Sequence, residues 1–67
     1  MAVLKTTLKE KREQKGLKQS ELAELVSARR ETIVHLESGR YNPSLKLAMD
    51  IAKVFDTTVE ELFTYEN

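Results

Sequence analysis

The sequence predicts an all-α fold of five short helices in one domain spanning residues 1–67. Apolar residues recur at intervals of three and four along most of the chain, which is the period of a helix with one buried face. Helix-capping residues and glycines stand between these runs and mark where each helix should begin and end. Residues 3–4 and 63–65 could add a small terminal strand pair, the one β element that the sequence indicates.

The first helix is predicted to begin at Thr7 and to end just before Gly16. Thr7 is followed three positions later by Glu10, which fits a capping box, and glycine is favourable immediately after a helix end. Arg12 lies four residues after Leu8 and therefore faces the same inward side of the helix. A charge at such a position needs a partner.

Two central helices joined by a tight turn are predicted within residues 19–38. Their apolar positions are Leu22, Ala23, Leu25 and Val26 in the first helix, and Ile33 and Leu36 in the second. The turn contains no Gly, Asn or Asp, and Ser27 is a candidate cap that would start the third helix one or two residues early. Gly39 is expected to end that helix.

Two further helices follow a loop. Helix 4 is predicted over residues 45–55 with Ser44 as its cap. Its apolar stripe consists of Leu45, Leu47, Ala48, Ile51, Ala52 and Phe55. Thr58 and Glu61 predict a second capping box ahead of helix 5, over residues 59–63.

The third helix turns polar side chains outward. Its outward positions are predicted to be Arg30, Glu31, Val34 and His35, with Arg29 immediately before them. Positive charge in a first helical turn opposes the helix dipole, but it suits a helix whose N-terminus faces DNA. Two crossed helices with a polar-faced second helix describe a DNA-reading helix-turn-helix.

Each of these side chains also has an ordinary structural interpretation. Arg30 could bind guanine O6 and N7 in a bidentate manner, or it could be a solvated or Glu-paired arginine. Glu31 could accept from cytosine N4, or it could simply stabilise a helix N-terminus. His35 could contact a base or phosphate, or it could pair with Glu31 one turn away. Val34 could contact a thymine methyl group or be an exposed filler.

Composition argues against several other classes of protein. No Cys is present, which excludes disulfides and thiolate zinc sites, and a lone His is a poor basis for a metal site. We find no nucleophile–base set or phosphate loop, and we expect neither enzyme activity nor a cofactor. Lys5 stands where a signal peptide needs an apolar core, and no run approaches transmembrane length. We therefore expect a cytoplasmic protein with no membrane partner.

The formal net charge is zero, but the charges are unevenly distributed. Residues 1–46 carry ten Lys and Arg against six Asp and Glu, whereas residues 47–67 carry one against five. Such a molecule could present a basic end to DNA and an acidic end to solvent or to a protein. Ordinary solvated helix faces are the alternative interpretation.

From Leu8 to Phe63, the sequence resembles the Cro/cI-type (lambda repressor-like, XRE) helix-turn-helix family. The matching segments are LKEKREQKGL, QSELAELV, ETIVHLESGRYNPSL and LAMDIAKVFDTTVEELF. The combination is specific, although each segment alone would be weak. The resemblance implies a five-helix DNA-binding domain, and it extends most closely to stand-alone repressors that lack an effector domain.

Roles for individual residues follow from this resemblance. It implies that base-facing positions are Arg29, Arg30, Glu31 and His35. It implies phosphate contacts from Gln19, Ser38, Arg40, Tyr41 and Asn42. Arg12 and Glu37 match a family ion pair, which would provide the inward arginine with its partner. The sequence departs from the family where Ser27 replaces the usual Gly, Arg29 the usual Ser, and Ser38 a frequent Asn.

Helix 5 and the tail contribute more apolar side chains than one small core readily buries. A chain of this length buries only about 60% of its unfolded surface, and association is one way to stabilise it. We expect a homodimer whose interface residues are Val59, Leu62, Phe63 and Tyr65. The alternative is that Val59 and Leu62 complete the core of the monomer.

Two functional hypotheses result. The first is a sequence-specific transcriptional repressor that binds a pseudo-palindromic operator in double-stranded DNA as a homodimer, with helix 3 in the major groove. The second is an antitoxin or adaptor that uses the same fold to bind a protein partner. Phosphate binding weakens steeply with rising salt, whereas an apolar protein interface does not, and this difference distinguishes the two hypotheses.

Overall fold

The computed structural model describes residues 3–66, with the backbone alone of Val3. In chain order, the elements are β1 (Val3–Thr6), α1 (Leu8–Gln14), α2 (Gln19–Leu25), α3 (Arg30–Glu37), α4 (Leu45–Val54), α5 (Val59–Leu62) and β2 (Phe63–Glu66). The predicted five-helix fold with a small terminal strand pair is confirmed. Within residues 3–66, no helix combines the length and the hydropathy that a membrane crossing requires.

The two strands bring the beginning and the end of the described chain together. They pair antiparallel, with Leu4 opposite Tyr65. Thr7 then donates its backbone N–H to the Leu62 carbonyl at 3.0 Å and its hydroxyl to the Glu61 carbonyl at 2.9 Å. The Thr7 side chain accepts no hydrogen bond from α1, so the predicted capping box there is wrong. Its hydroxyl instead joins the start of α1 to α5.

The turn between α2 and α3 has a different construction from the one predicted. Ser27 adopts a left-handed φ of +55°. Its N–H donates to the Glu24 carbonyl at 3.2 Å, and the Ala28 N–H donates to the Ala23 carbonyl at 2.9 Å, which together form a Schellman motif. Ser27 therefore ends α2 and does not cap α3, which begins at Arg30. The expected early start of that helix is wrong.

The predicted starts of α4 and α5 are confirmed by their caps. The Ser44 hydroxyl accepts from the Leu47 N–H at 3.1 Å, and the Thr58 hydroxyl accepts from the Glu61 N–H at 3.2 Å. The Glu61 carboxylate accepts from the Thr57 hydroxyl at 2.8 Å. The second capping box therefore has its hydroxyl bond from Thr58, but the Glu61 carboxylate does not bond back to the Thr58 N–H.

One hydrophobic core joins β1, the five helices and β2. It comprises Leu4, Leu8, Leu22, Ala23, Val26, Ile33, Leu36, Ala48, Ile51, Ala52, Leu62 and Phe63. Two residues of the predicted apolar stripes are exposed instead, Leu25 by 60% and Leu45 by 73%. Leu25 lies roughly 100° around α2 from the centre of its buried arc. Leu45 is the first residue of α4, at the edge of the core.

Two glycines that end helices should differ in their tolerance of substitution. Gly16 and Gly39 have left-handed φ values of +73° and +74°, but a Cβ at Gly39 would also lie 2.8 Å from the Leu4 carbonyl oxygen. We expect Gly16→Ala to lower the free energy of unfolding by about 1 kcal/mol through backbone strain alone. Gly39→Ala should cost about 2–3 kcal/mol because β1 must also move. Urea unfolding measures both, and equal losses would contradict the close approach of β1.

Candidate nucleic-acid interface

α2 and α3 are joined by buried side chains that fill the space between them. Leu22 and Ala23 contribute from α2, and Ile33 and Leu36 contribute from α3. A side chain as small as Ala23 allows the two helices to approach closely. Since these residues occupy the inward side of α3, its opposite side remains available for other contacts.

That opposite side of α3 carries the residues predicted to contact bases. Arg30, Glu31 and His35 are exposed, Val34 is half-buried, and Arg29 is exposed immediately before the helix. Within residues 3–66, none of these five side chains forms an ion pair or a hydrogen bond. The alternative in which His35 pairs with Glu31 is therefore not found. The structure brings all five side chains together on one surface, where they are available to contact another molecule.

The segment after α3, predicted to contact phosphates, is also exposed. Its predicted contact residues are Ser38, Arg40, Tyr41 and Asn42. The Ser38 hydroxyl donates to the His35 carbonyl at 3.0 Å and thus closes the last turn of α3. The Asn42 side-chain oxygen accepts a hydrogen bond of 2.6 Å from the Tyr65 hydroxyl. The Arg40 and Tyr41 side chains make no hydrogen bond within the described part of the chain.

Arg12 faces inward, as its spacing predicts, and meets Glu37. Its Nε donates to Glu37 Oε2 at 2.6 Å and its Nη2 to Oε1 at 3.3 Å, while Nη1 donates to the Leu17 carbonyl at 2.8 Å. The two side chains are only 11% and 5% exposed. The hydrogen bond to Glu37 raises the pKa of Arg12 above its usual value. This ion pair joins α1 to the last residue of α3.

Gln19 has a contact that the sequence did not predict. Its side-chain nitrogen donates to Glu37 Oε1 at 3.1 Å, and the residue is half-buried. The first residue of α2 is therefore joined to the last residue of α3 through the same carboxylate that binds Arg12. An amide has a second N–H and a carbonyl oxygen, so this bond leaves groups of Gln19 available to another partner.

The predicted dimer residues divide into two groups. Leu62 and Phe63 are buried, with 1% and 9% exposure, and belong to the monomer core, as the alternative interpretation expected of Leu62. Val59 is half-buried and Tyr65 is exposed. Leu45, which its place in the apolar stripe of helix 4 predicted to be inward, is exposed near both of them.

A groove of about 270 Å³ lies at this end of the molecule. It is lined by Leu4, Pro43, Leu45, Ala48, Val59, Phe63 and Tyr65. Met49, one turn after Leu45 on α4, is exposed as well. The exposed apolar surface therefore includes the start of α4. The sequence alone does not show that Leu45 and Met49 are exposed, because this depends on which other apolar side chains occupy the core.

The core contacts on one side of α3 and the open polar surface on the other define a helix-turn-helix protein of the kind that reads DNA. A profile of the helix-turn-helix family HTH_3 matches residues 8–62. The chain therefore belongs to the Cro/cI-type (XRE) helix-turn-helix family. This is a family of DNA-binding transcription regulators and not a class of enzymes.

Similar proteins occur in archaea and bacteria. An uncharacterised HTH-type transcriptional regulator of Archaeoglobus fulgidus is 50% identical over 64 residues, covering 96% of this chain and 91% of the relative. One from Methanocaldococcus jannaschii is 44% identical, covering 96% and 97%. The crystal structure of the restriction-modification controller protein C.AhdI from Aeromonas hydrophila matches with a TM-score of 0.75 and 38% identity, covering 84% of this chain and 85% of that one.

The buried ion pair should be strongly coupled. We expect Arg12→Ala and Glu37→Ala each to lower the free energy of unfolding by about 3–5 kcal/mol, since each leaves a buried charge without its partner. The double variant should cost no more than either single one. Chemical denaturation of the four proteins measures the coupling, and a Glu37→Ala protein as stable as the parent would contradict it.

The exposed ion pair between Lys46 and Asp50 is the matched control. Its nitrogen and oxygen lie 2.8 Å apart, but the lysine is 86% exposed. Lys46→Ala should change the free energy of unfolding by less than about 1 kcal/mol.

Proposed function

We propose that this protein is a sequence-specific transcriptional repressor that binds a pseudo-palindromic DNA operator as a homodimer. The proposal depends on one observation about α3. Its inner face is anchored in the core by Ile33 and Leu36, whereas the side chains of its outer face form no hydrogen bond or ion pair within residues 3–66. A helix anchored in this way can enter the major groove without losing contacts in the protein core. Such a protein would act in the cytoplasm, in contact with the genome.

The side chains on this face suit direct reading of base pairs. Arg30 can donate two hydrogen bonds to guanine, and Glu31 can accept from the amino group of cytosine. Val34 offers an apolar contact for a thymine methyl group, and His35 can donate to or accept from a base. Arg29, immediately before the first residue of the helix, could contact a base or an adjacent phosphate.

Phosphate contacts are proposed for residues before and after α3 in the sequence. Gln19 precedes α3, at the start of α2, and the other proposed contacts follow α3. These are Ser38, Arg40, Tyr41 and Asn42. Contacts of this kind fix the position of the protein on the duplex, while the side chains of α3 select the sequence.

The proposed dimer forms through the apolar surface around the groove, with Val59 and Tyr65 from the predicted set and Leu45 and Met49 in addition. Two copies related by a twofold axis would place their α3 helices in successive major grooves, about 34–36 Å apart. Occupation of a promoter by such a dimer would block transcription. The likeness to a restriction-modification controller protein supports a regulatory role.

The second candidate is an antitoxin or adaptor that binds a protein. Leu25, 60% exposed on α2 near Glu21 and Glu24, is an apolar side chain that is not among the residues lining the apolar groove. An adaptor could use such a contact. Rising salt should leave binding through an apolar contact largely unchanged, whereas DNA binding should weaken steeply.

Selection from a random duplex library at physiological salt tests the leading proposal. The purified protein should enrich a twofold-symmetric motif. A bound pool with the same composition as the input would reject the proposal and would favour the protein-binding alternative.

Two arginines should affect the selected DNA in different ways. Arg30→Ala should weaken binding by about 1–3 kcal/mol and relax the preference at one position of each half-site, because a base contact is lost. Arg40→Ala should weaken binding to all sequences alike and reduce the slope of log affinity against log salt by about 0.9 per lost phosphate contact. Repeating the selection and a salt titration with each variant measures both effects. Loss of base preference in Arg40→Ala with none in Arg30→Ala would contradict these roles.

Charge at the apolar surface should prevent dimer formation. We expect Leu45→Glu to be monomeric in sedimentation velocity at concentrations where the parent is a dimer, and to bind a full operator no better than a half-site. Leu25→Glu is the matched control because that leucine is similarly exposed but lies elsewhere. A dimeric Leu45→Glu protein would exclude this surface as the interface.

A further inference from the structure

One residue pair of the terminal sheet lies against both ends of a short segment, residues 39–42, which is exposed from residue 40 onward. Leu4 of β1 pairs with Tyr65 of β2. The Leu4 carbonyl oxygen lies 2.8 Å from the position that a Cβ on Gly39 would occupy. Three residues later, Asn42 accepts a 2.6 Å hydrogen bond from the Tyr65 hydroxyl. The segment is therefore in contact with the sheet at its first and its last residue.

Residues 39–42, which we call the backbone loop, have few other restraints. The Arg40 N–H donates to the His35 carbonyl at 3.0 Å, which completes the end of α3. Within residues 3–66, the backbone N–H groups of Tyr41 and Asn42 donate to no carbonyl. Both residues are exposed. Their N–H groups and side chains should bind a phosphate more tightly when the loop is already held in one conformation, because ordering a free loop costs conformational entropy.

We propose that Tyr65 is a positioning residue for DNA binding, which holds the backbone loop through Asn42 in the conformation that meets the phosphates. This inference rests on the proposed function and extends it to the C-terminal strand. Tyr65 lies 23 positions from Asn42 in sequence and reaches the loop only because β2 pairs with β1. The terminal sheet thereby becomes part of the DNA-binding apparatus without touching DNA.

The geometry also explains why a tyrosine suits this position. The Tyr65 ring lines the apolar groove beside Pro43 and Leu45, while its hydroxyl reaches Asn42. An aromatic body with a polar tip can satisfy both surroundings at once. Phenylalanine would keep the ring contacts and remove the hydrogen bond alone, so Tyr65→Phe isolates the proposed role.

Amide hydrogen exchange of the free protein tests the positioning step without DNA. Tyr65→Phe should speed exchange at Arg40 several-fold, because the loop next to this amide is released, while amides of α2 and the centre of α3 keep the parental rates. Thr64→Val is the matched control, since it removes a hydroxyl from the same strand at an exposed residue that makes no side-chain hydrogen bond within residues 3–66. Parental exchange at Arg40 in Tyr65→Phe would overturn the proposal.

Affinity for the selected operator tests the consequence. Tyr65→Phe should bind about threefold to tenfold more weakly, the range expected for one hydrogen bond. In an Asn42→Ala background, the same substitution should add no further loss, because its effect passes through Asn42. Sedimentation of each variant at the binding concentration shows whether the dimer population has changed.

The outcomes separate this inference from the proposed function. Additive losses, or a loss that matches a smaller dimer population, would overturn the positioning role while leaving operator binding intact. A parent protein that binds no duplex would overturn the proposed function and, with it, the role of the loop in DNA binding. Faster exchange at Arg40 together with a non-additive loss of affinity supports the proposal.

Discussion

The arrangement of the first three helices depends on the buried carboxylate of Glu37. Arg12 from α1 and Gln19 from α2 both donate to it, although neither is near it in sequence. Removing one partner from a buried ion pair costs several kcal/mol, so this carboxylate is stable in its largely buried position only while its donors are in place. Because Glu37 is the last residue of α3, its partners fix where that helix ends relative to α1 and α2. The base-reading face proposed for α3 is oriented by the same contacts.

The two sides of α3 explain how a protein with no net charge can be suited to a polyanion. Ile33 and Leu36 pack one side of the helix into the core. The other side carries Arg30 and His35, whose side chains form no ion pair within residues 3–66. The remaining cations also lie mainly before residue 47, while the acidic excess follows it. Local potential rather than net charge determines how a charged ligand is attracted.

The terminal sheet has a larger role than its eight residues suggest. It joins the first and last described segments, and the Thr7 bonds to Glu61 and Leu62 extend this junction into α1 and α5. A domain this small has a small core, and pairing β1 with β2 limits the fraying of these two strands. The same junction lies beside the apolar groove and the loop after α3. Changes in the terminal sheet should therefore alter both the groove and this loop.

The sequence by itself determined the helices, because periodicity, caps such as Ser44 and Thr58, and stop residues act through neighbours on the same segment. It also showed that Arg12 faces inward. Only the tertiary structure decided which hydroxyls cap and which apolar side chains remain outside. Thr7 donates across 54 positions to Glu61, and Leu45 stays exposed because other residues fill the core. Contacts of this kind depend on where segments distant in sequence meet in space, and the spacing of residues within one segment does not determine where they meet.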